Sequence, residues 1–162
     1  MALLATASAA LTADGYLKVK AGPSRAGVFV DGKYAGPAGN LGMARKYAVA
    51  AGEHEIKLVE PRCQEVVKKV TIGAGKTVTM REVLPKLPPP KGPFWLLRTP
   101  VAEKYAAVYV NGKYMGHADE FNAGGQGLLL PEGEYTVRIE PQSGQPIEKK
   151  VTLKAGSPVS VN

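Results

Sequence analysis

The chain has 162 residues, which is enough for one ordinary domain or two small ones. Hydrophobic residues make up 44% of the sequence and charged residues 22%, proportions that exclude an intrinsically disordered protein. The 19 glycines and 13 prolines favour many turns and few long helices. Because 21 Lys and Arg exceed 14 Asp and Glu, the formal net charge is +7.

The first segment, residues 1–13, reads MALLATASAALTA and carries no charge. Its Ala-x-Ala patterns are typical of the residues that precede a signal-peptidase cleavage site. We therefore expect a signal-peptide remnant or, alternatively, an apolar strand that completes its own sheet or a neighbour's. No stretch of the sequence approaches the roughly 20 apolar residues of a membrane helix, so no integral membrane segment is expected.

Residues 14–84 are predicted to form a first domain of short strands. An opening strand is expected at 16–20 and a closing strand at 77–83. Between them, Asp31-Gly32 separates β-branched and aromatic runs, which is typical of a two-residue type I′ hairpin. The alternation of His54, Ile56 and Leu58 with polar neighbours indicates a half-buried strand. A long loop is expected at 37–44.

The segment 85–91 contains three consecutive prolines and is predicted to be a stiff, extended linker. Residues 92–162 then repeat the first domain. VFVDGKYAG at 28–36 recurs as VYVNGKYMG at 108–116, and KKVTIGAGKTVT at 68–79 recurs as KKVTLKAGSPVS at 149–160. With a second long loop at 117–127, this duplication predicts an all-β chain of two tandem small antiparallel β-sandwich domains, each with about six strands.

The order of these pieces resembles the PEGA domain. The residues that carry the resemblance in the first copy are Pro23, Ala26, Val28, Phe29, Val30, Asp31, Gly32, Gly36, Gly52, His54, Ala74 and Gly75. In the second copy they are Pro100, Ala107, Val108, Tyr109, Val110, Asn111, Gly112, Gly116, Gly133, Tyr135, Ala155 and Gly156. The name-giving tetrapeptide is altered to Pro23-Ser24-Arg25-Ala26. The resemblance implies an immunoglobulin- or prealbumin-like sandwich of bacterial or archaeal envelope proteins that serves as a surface or binding module without an active site.

Five aromatic residues are the candidate binding or interface residues: Phe29, Tyr34, Tyr109, Tyr114 and Phe121. Phe29 should lie opposite Tyr34 across its hairpin, and Tyr109 opposite Tyr114. The alternation does not determine whether the valines or the aromatics of these hairpins face the core. The aromatic pairs are therefore expected either to pack in a core or between domains, or to form exposed platforms for a sugar ring or a partner sheet. Phe121 lies in the long Gly-rich second loop.

No catalytic, metal-binding or cofactor-binding residue is expected. His54 corresponds to Tyr135 in the repeat and is interpreted as a packing or strand-edge residue and not as a ligand. His117 lies near Asp119 and Glu120, a combination that can bind a divalent metal but more often only solvates a loop. The single cysteine, Cys63, has no partner histidine that would make it a nucleophile. The sequence therefore predicts a protein that is not an enzyme.

The excess positive charge lies in the first half of the chain. Residues 14–84 contain 12 basic and 7 acidic residues, whereas residues 92–162 contain 7 of each. Either an anionic polymer is a partner, or the lysines cover strand faces and edges and discourage edge pairing. Nucleic acid is not expected, because few aromatics are interleaved with the basic residues.

Together these features predict an exported structural or adhesive module of the cell envelope, extracellular, at the cell surface or periplasmic. Self-association, as in an extracellular filament, or binding to other envelope proteins is expected. The alternative is a monomeric module that binds an anionic cell-wall glycan.

Overall fold

A computed structural model describes residues 13–43, 45–122, 127–156 and 158–162. Fourteen strands form four sheets within these ranges. The strands of the first half are β1 (Asp14–Gly22), β2 (Gly27–Val30), β3 (Lys33–Pro37), β4 (Tyr47–Ala50), β5 (Gly52–Val59), β6 (Val66–Ile72) and β7 (Thr77–Val83). Those of the second half are β8 (Trp95–Arg98), β9 (Ala107–Val110), β10 (Lys113–His117), β11 (Leu128–Leu130), β12 (Gly133–Glu140), β13 (Ile147–Leu153) and β14 (Val159–Ser160).

The second half repeats the first strand for strand. A four-stranded sheet has the order β3-β2-β5-β6 in the first half and β10-β9-β12-β13 in the second. A three-stranded sheet has the order β4-β1-β7 in the first and β11-β8-β14 in the second. Each strand therefore has its counterpart seven strands later. The predicted all-β fold with two tandem small sandwiches is confirmed.

Both predicted hairpin turns adopt the type I′ geometry. The backbone angle φ is positive at both central residues of each turn, 48° and 79° at Asp31 and Gly32, and 49° and 77° at Asn111 and Gly112. Asp and Asn tolerate this left-handed conformation better than other residues with side chains, and glycine adopts it freely. The turns therefore set the register in which Val30 pairs with Lys33 and Val110 with Lys113.

Each half buries one core between its two sheets. Fully buried side chains from β1 and from the hairpin and β5 face one another in the first half. The second half has the corresponding core around Leu97, Val108 and Ile139. The valines of both hairpins lie in these cores, with Val28 and Val108 completely shielded from solvent. Because side chains alternate along a strand, the hairpin aromatics face away from their own core.

Three local features differ from the sequence prediction. The strands β4 and β11 were not predicted, so each half has seven strands and not six. A short helix α1 (Ala38–Gly42) replaces part of the first long loop, and a 3₁₀ helix (Ala118–Phe121) begins the second. Antiparallel pairing is also not universal, because β1 pairs with β7, and β8 with β14, in parallel.

The proline-rich segment is partly docked on the first half. The backbone N–H of Gln64 donates to the carbonyl of Pro85 at 2.8 Å, and the N–H of Leu87 donates to the carbonyl of Arg62 at 2.7 Å. Cys63 and Lys86 form an isolated antiparallel bridge between these two bonds. The first residues of the predicted stiff, extended linker are therefore hydrogen-bonded to the first half.

Candidate functional site: the aromatic interface between the copies

The outward-facing aromatics of the two hairpins meet one another. Phe29 lies opposite Tyr34 across β2 and β3, and Tyr109 lies opposite Tyr114 across β9 and β10, as the sequence predicts. These four rings form one cluster with Val59 and Ala107. We call this cluster the aromatic interface. It joins the outer faces of the two four-stranded sheets at their hairpin ends.

Tyr114 is the centre of the aromatic interface. Its ring centroid lies 5.5 Å from that of Phe29, 5.5 Å from that of Tyr34 and 5.8 Å from that of Tyr109. The contacts with Phe29 and Tyr109 are edge-to-face, the arrangement that ring quadrupoles favour. The Tyr114 side chain is 4% exposed, so the second half inserts this ring almost completely against the first.

A glycine in the first half admits this ring. A Cβ atom on Gly27 would lie 2.6 Å from two ring carbons of Tyr114, well inside van der Waals contact. The residue at the corresponding position of the second half is Ala107, which is also fully buried in the interface. Gly27 is therefore needed for close approach of the Tyr114 ring and not for an unusual backbone angle.

Burial of the rings changes their acidity. Removal from water raises the pKa of Tyr114 and of Tyr34 well above the ordinary value of 10, and it raises the pKa of Tyr109 to about 12. The hydroxyl oxygens of Tyr34 and Tyr114 lie 3.5 Å apart. All three phenols therefore stay neutral at physiological pH, which suits a packing role between the two halves.

Polar contacts surround the rings. The side-chain amide of Gln142 in the second half donates to the carbonyl of Ala35 in the first at 3.1 Å. Its backbone N–H is held by Glu103 Oε1 at 2.7 Å. Arg25 Nη1 of the first half lies 3.9 Å from Glu120 Oε2 of the second. The two halves therefore share an apolar centre with a polar rim, the usual anatomy of a specific interface.

A buried carboxylate anchors Arg25 for this contact. Glu60 is only 3% exposed, and its Oε1 lies 3.1 Å from Arg25 Nε and 2.9 Å from Arg62 Nη2. The backbone N–H of Arg62 donates to Glu60 Oε2 at 2.9 Å. Two guanidinium groups thus compensate one buried charge, and one of them extends to Glu120 across the interface.

Phe121 does not belong to this interface. Its side chain is 7% exposed and packs in the core of the second half with Val108 and Leu130. The 3₁₀ helix that ends at Phe121 orients the ring inward. Phe121 is therefore a core residue in the structure, and the loop that follows it includes residues 123–126, which lie outside the described ranges.

His117 contacts a neighbouring carboxylate and an aromatic ring, and no metal site forms around it among the described residues. His117 Nδ1 lies 2.8 Å from Glu120 Oε1, and its ring lies beside that of Tyr105. In the described ranges, no three His, Cys, Asp or Glu side chains group closely enough to hold a metal ion.

Cys63 is buried, which raises the pKa of its thiol, and the neighbouring Glu60 adds to this effect. A buried thiol of this kind is not placed to link two chains.

His54 fastens the tip of the first hairpin. Its Nδ1 lies 2.6 Å from Asp31 Oδ2, and its Nε2 lies 2.7 Å from the carbonyl oxygen of Ala50. Both neighbours are acceptors, so both ring nitrogens donate only when the imidazole is protonated. The hydrogen bond with Asp31 raises the pKa of His54, and the same bond lowers the pKa of Asp31.

The interface residues outside the hairpins were not found from the sequence. Gln142 and Arg25 lie in connections between strands, and their partners are 107 and 95 positions away along the chain. No periodic pattern marks such residues. The one available signal is the unequal pair Gly27 and Ala107, since a glycine at a strand position often marks close approach of another group.

Comparison with known proteins places the first half in a family. Residues 14–88 match the model of the PEGA domain. Residues 14–88 form a PEGA domain. Its boundary at residue 88 includes the part of the proline-rich segment that pairs with Arg62 and Gln64. The strand order of this PEGA domain is the order that the second half repeats.

Other comparisons add little to the PEGA domain. No curated protein matches the chain. One solved structure, the Bacillus anthracis TIE protein, is 15% identical with a TM-score of 0.29; the match covers 92% of this chain and 33% of that one. The chain thus spans about a third of that structure's length. No helix in the described ranges is long and apolar enough to cross a membrane.

Proposed function

We propose that this chain is a non-catalytic, exported structural module of the cell envelope in which two PEGA-like sandwiches, residues 14–84 and 92–162, act as one rigid unit. The observation that carries the proposal is the aromatic interface. Its four rings, among which Tyr114 is almost completely buried, pack the second copy against the first. Two small domains on a flexible linker would transmit force poorly, whereas a packed pair resists bending between the copies.

Export and assembly are the two finer parts of the proposal. The apolar segment 1–13 supports export as a signal remnant, and it also supports strand donation to a neighbouring chain in a filament. Except for Ala13, this segment lies outside the described residues. Strand β7 lies at the edge of its sheet, so its outer edge has backbone groups that can pair with an added strand.

Fractionation of the native host tests export. The protein is expected in the envelope or culture medium and absent from the cytosol. Electron microscopy of the full chain and of a chain lacking residues 2–13 tests strand donation. Filaments are expected from the full chain only, and identical filaments from the shortened chain would disprove donation by this segment. Cytosolic retention of the native protein would disprove the envelope role.

The alternative function, a monomeric module for an anionic wall glycan, receives less support. Sugar-binding platforms use exposed aromatic rings, and the hairpin rings of this protein pack on one another. Its remaining support is the positive charge of the first half. A pulldown with purified wall glycan at low and moderate salt tests it, with salt-sensitive binding expected if the alternative is right.

A further inference from the structure

Two grooves meet at the end of strand β7 in the first half. One groove, of about 520 Å³, lies between α1 and the ends of β1 and β7. The other, of about 580 Å³, lies between the loop after β1 and the proline-rich segment. Val83 lines both grooves, so they form a continuous surface, which we call the Val83 surface.

The Val83 surface exposes large apolar side chains. Met43 is 85% exposed and Val83 is 81% exposed, the two highest values among the large hydrophobic residues of the described ranges. Leu87, on the second groove, is 41% exposed. Apolar side chains grouped in this way at the surface of a soluble domain mark an interaction site more often than scattered ones do.

Cations line the same surface. Lys20 and Arg81 line the first groove, and Lys86 lines the second. None of these three forms an ion pair with another residue of the described ranges. The acidic residues of the grooves are already neutralised, Glu82 by Lys68 and Glu60 by Arg25 and Arg62. The Val83 surface therefore has a net positive charge around its exposed apolar side chains.

Two of these cations have neutral counterparts in the second half. The residue that corresponds to Lys20 is Pro100, and the one that corresponds to Arg81 is Asn162. The excess of positive charge that the sequence places in residues 14–84 is thus partly concentrated at one apolar surface of the first copy. The duplication alone does not account for it, since the fold forms without these cations in the second half.

We propose that the Val83 surface docks on a membrane surface of anionic phospholipid. Met43, Val83 and Leu87 enter the boundary between headgroups and acyl chains, and Lys20, Arg81 and Lys86 bind lipid phosphates. A soluble polyanion would use the cations but would leave the apolar side chains in water. This partner is separate from the aromatic interface and does not depend on it.

Sedimentation of the full chain with lipid vesicles tests the proposal. Binding is expected to phosphatidylcholine vesicles that contain phosphatidylglycerol, and little binding to phosphatidylcholine alone. The affinity should fall as salt is raised, because screening weakens the attraction of the cations to the phosphates. Equal binding to both kinds of vesicle, or no binding to either, would overturn the proposal.

Matched variants separate the apolar and charged contributions. The double variant Met43→Ser with Val83→Ser should lose roughly tenfold or more in affinity, because two side chains no longer leave water. Lys20→Gln with Arg81→Gln should lose about as much through the missing phosphate contacts. The controls Leu129→Ser, another exposed apolar residue, and Lys113→Gln with Lys154→Gln in the second half should bind normally.

Two further results decide between neighbouring interpretations. Binding to dextran sulfate that equals vesicle binding and survives the Met43→Ser, Val83→Ser change would assign the surface to a soluble polyanion and refute the membrane proposal. The Tyr114→Ala variant should bind vesicles as the parent protein does. Loss of binding in that variant would instead show that docking requires the joined copies, contrary to the proposal.

Discussion

In the first copy an ionisable pair fastens the hairpin tip, whereas the second copy uses neutral side chains at the same positions. Asp31 Oδ1 accepts from the backbone N–H of Glu55 at 2.9 Å, and Asn111 Oδ1 accepts from that of Thr136 at 2.9 Å. In each copy an aromatic side chain also forms a hydrogen bond with the carbonyl oxygen four residues earlier. His54 Nε2 lies 2.7 Å from the Ala50 oxygen, and the Tyr135 hydroxyl donates to the Pro131 oxygen at 3.0 Å.

This comparison separates what the two copies share from where they differ. Both copies keep an acceptor at the first turn position and an aromatic side chain that donates to the preceding connection. The first copy has Asp with His in those places, and the second has Asn with Tyr. The aromatic interface also combines shared and differing positions. Tyr34 and Tyr114 are identical counterparts, whereas the counterparts Gly27 and Ala107 differ in size.

The largest expected loss of stability comes from removing the ring of Tyr114 or of Tyr34, which occupy corresponding positions in the two copies. Tyr114→Ala should lower the free energy of unfolding by about 4 kcal/mol, because the ring contacts three others and is almost fully buried. Tyr34→Ala should lower it by about 3 kcal/mol, since its ring contacts two others. Denaturant unfolding of the full chain measures both.

The same experiment reports on coupling between the copies. The parent protein should unfold in one transition, and the Tyr114→Ala variant in two, as the halves lose their shared cluster. Tyr16→Ala, which removes a partly exposed ring distant from the aromatic interface, is the control and should keep one transition. Two transitions in the parent protein would contradict the rigid unit.

A smaller loss of stability is expected when Gly27 is replaced by alanine, the residue found at the corresponding position, Ala107. Gly27→Ala should lower the free energy of unfolding by about 2 kcal/mol, because the new methyl group collides with the Tyr114 ring. In the Tyr114→Ala background the same substitution should cost much less, which a double-mutant cycle measures. An equal cost in both backgrounds would mean that the collision is not with Tyr114.

The smallest effect sharpens the comparison of the hairpin tips through pH. His54 has a raised pKa, so its contribution is complete below about pH 6.5 and is lost as pH rises through the folded-state pKa. Asp31 has a lowered pKa, so its contribution is present above about pH 4 and is lost as pH falls further. The first copy should therefore be most stable between these limits.

Exchange of the pair for its counterpart tests this behaviour. Asp31→Asn with His54→Tyr should flatten the dependence of Tm on pH between about pH 5 and pH 9, by a few degrees at most, since Asp31 is largely exposed. The reverse exchange, Asn111→Asp with Tyr135→His, should introduce the same dependence in the second copy. An unchanged profile in the first variant would rule out His54 as its source.

The features predictable from the sequence are those that depend on neighbouring residues. The Asp31-Gly32 and Asn111-Gly112 turns and the pairs across each hairpin follow from local rules. Strands β4 and β11 escaped prediction because YAVA and LLL are too short to show a period. The parallel pairing of β1 with β7 joins residues about 61 positions apart along the chain, which no local pattern indicates.

The rings of the aromatic interface were predictable from the sequence, but the face on which they lie was not. The sequence identified Phe29, Tyr34, Tyr109 and Tyr114, but both faces of each hairpin are apolar, so the period alone did not select the buried face. The structure places the valines inside because they fill the narrow space between two sheets. The rings then meet across the two copies, at a distance set by Gly27, whose role depends on a residue 87 positions later.

The aromatic interface has one consequence for larger assemblies. Each copy contributes the same hairpin face to it, so the contact is approximately self-complementary and closes once two copies have met. A third copy finds no vacant face of this kind. Any chain-to-chain growth would therefore use surfaces other than these hairpin faces, and its repeating unit would be the whole pair of sandwiches.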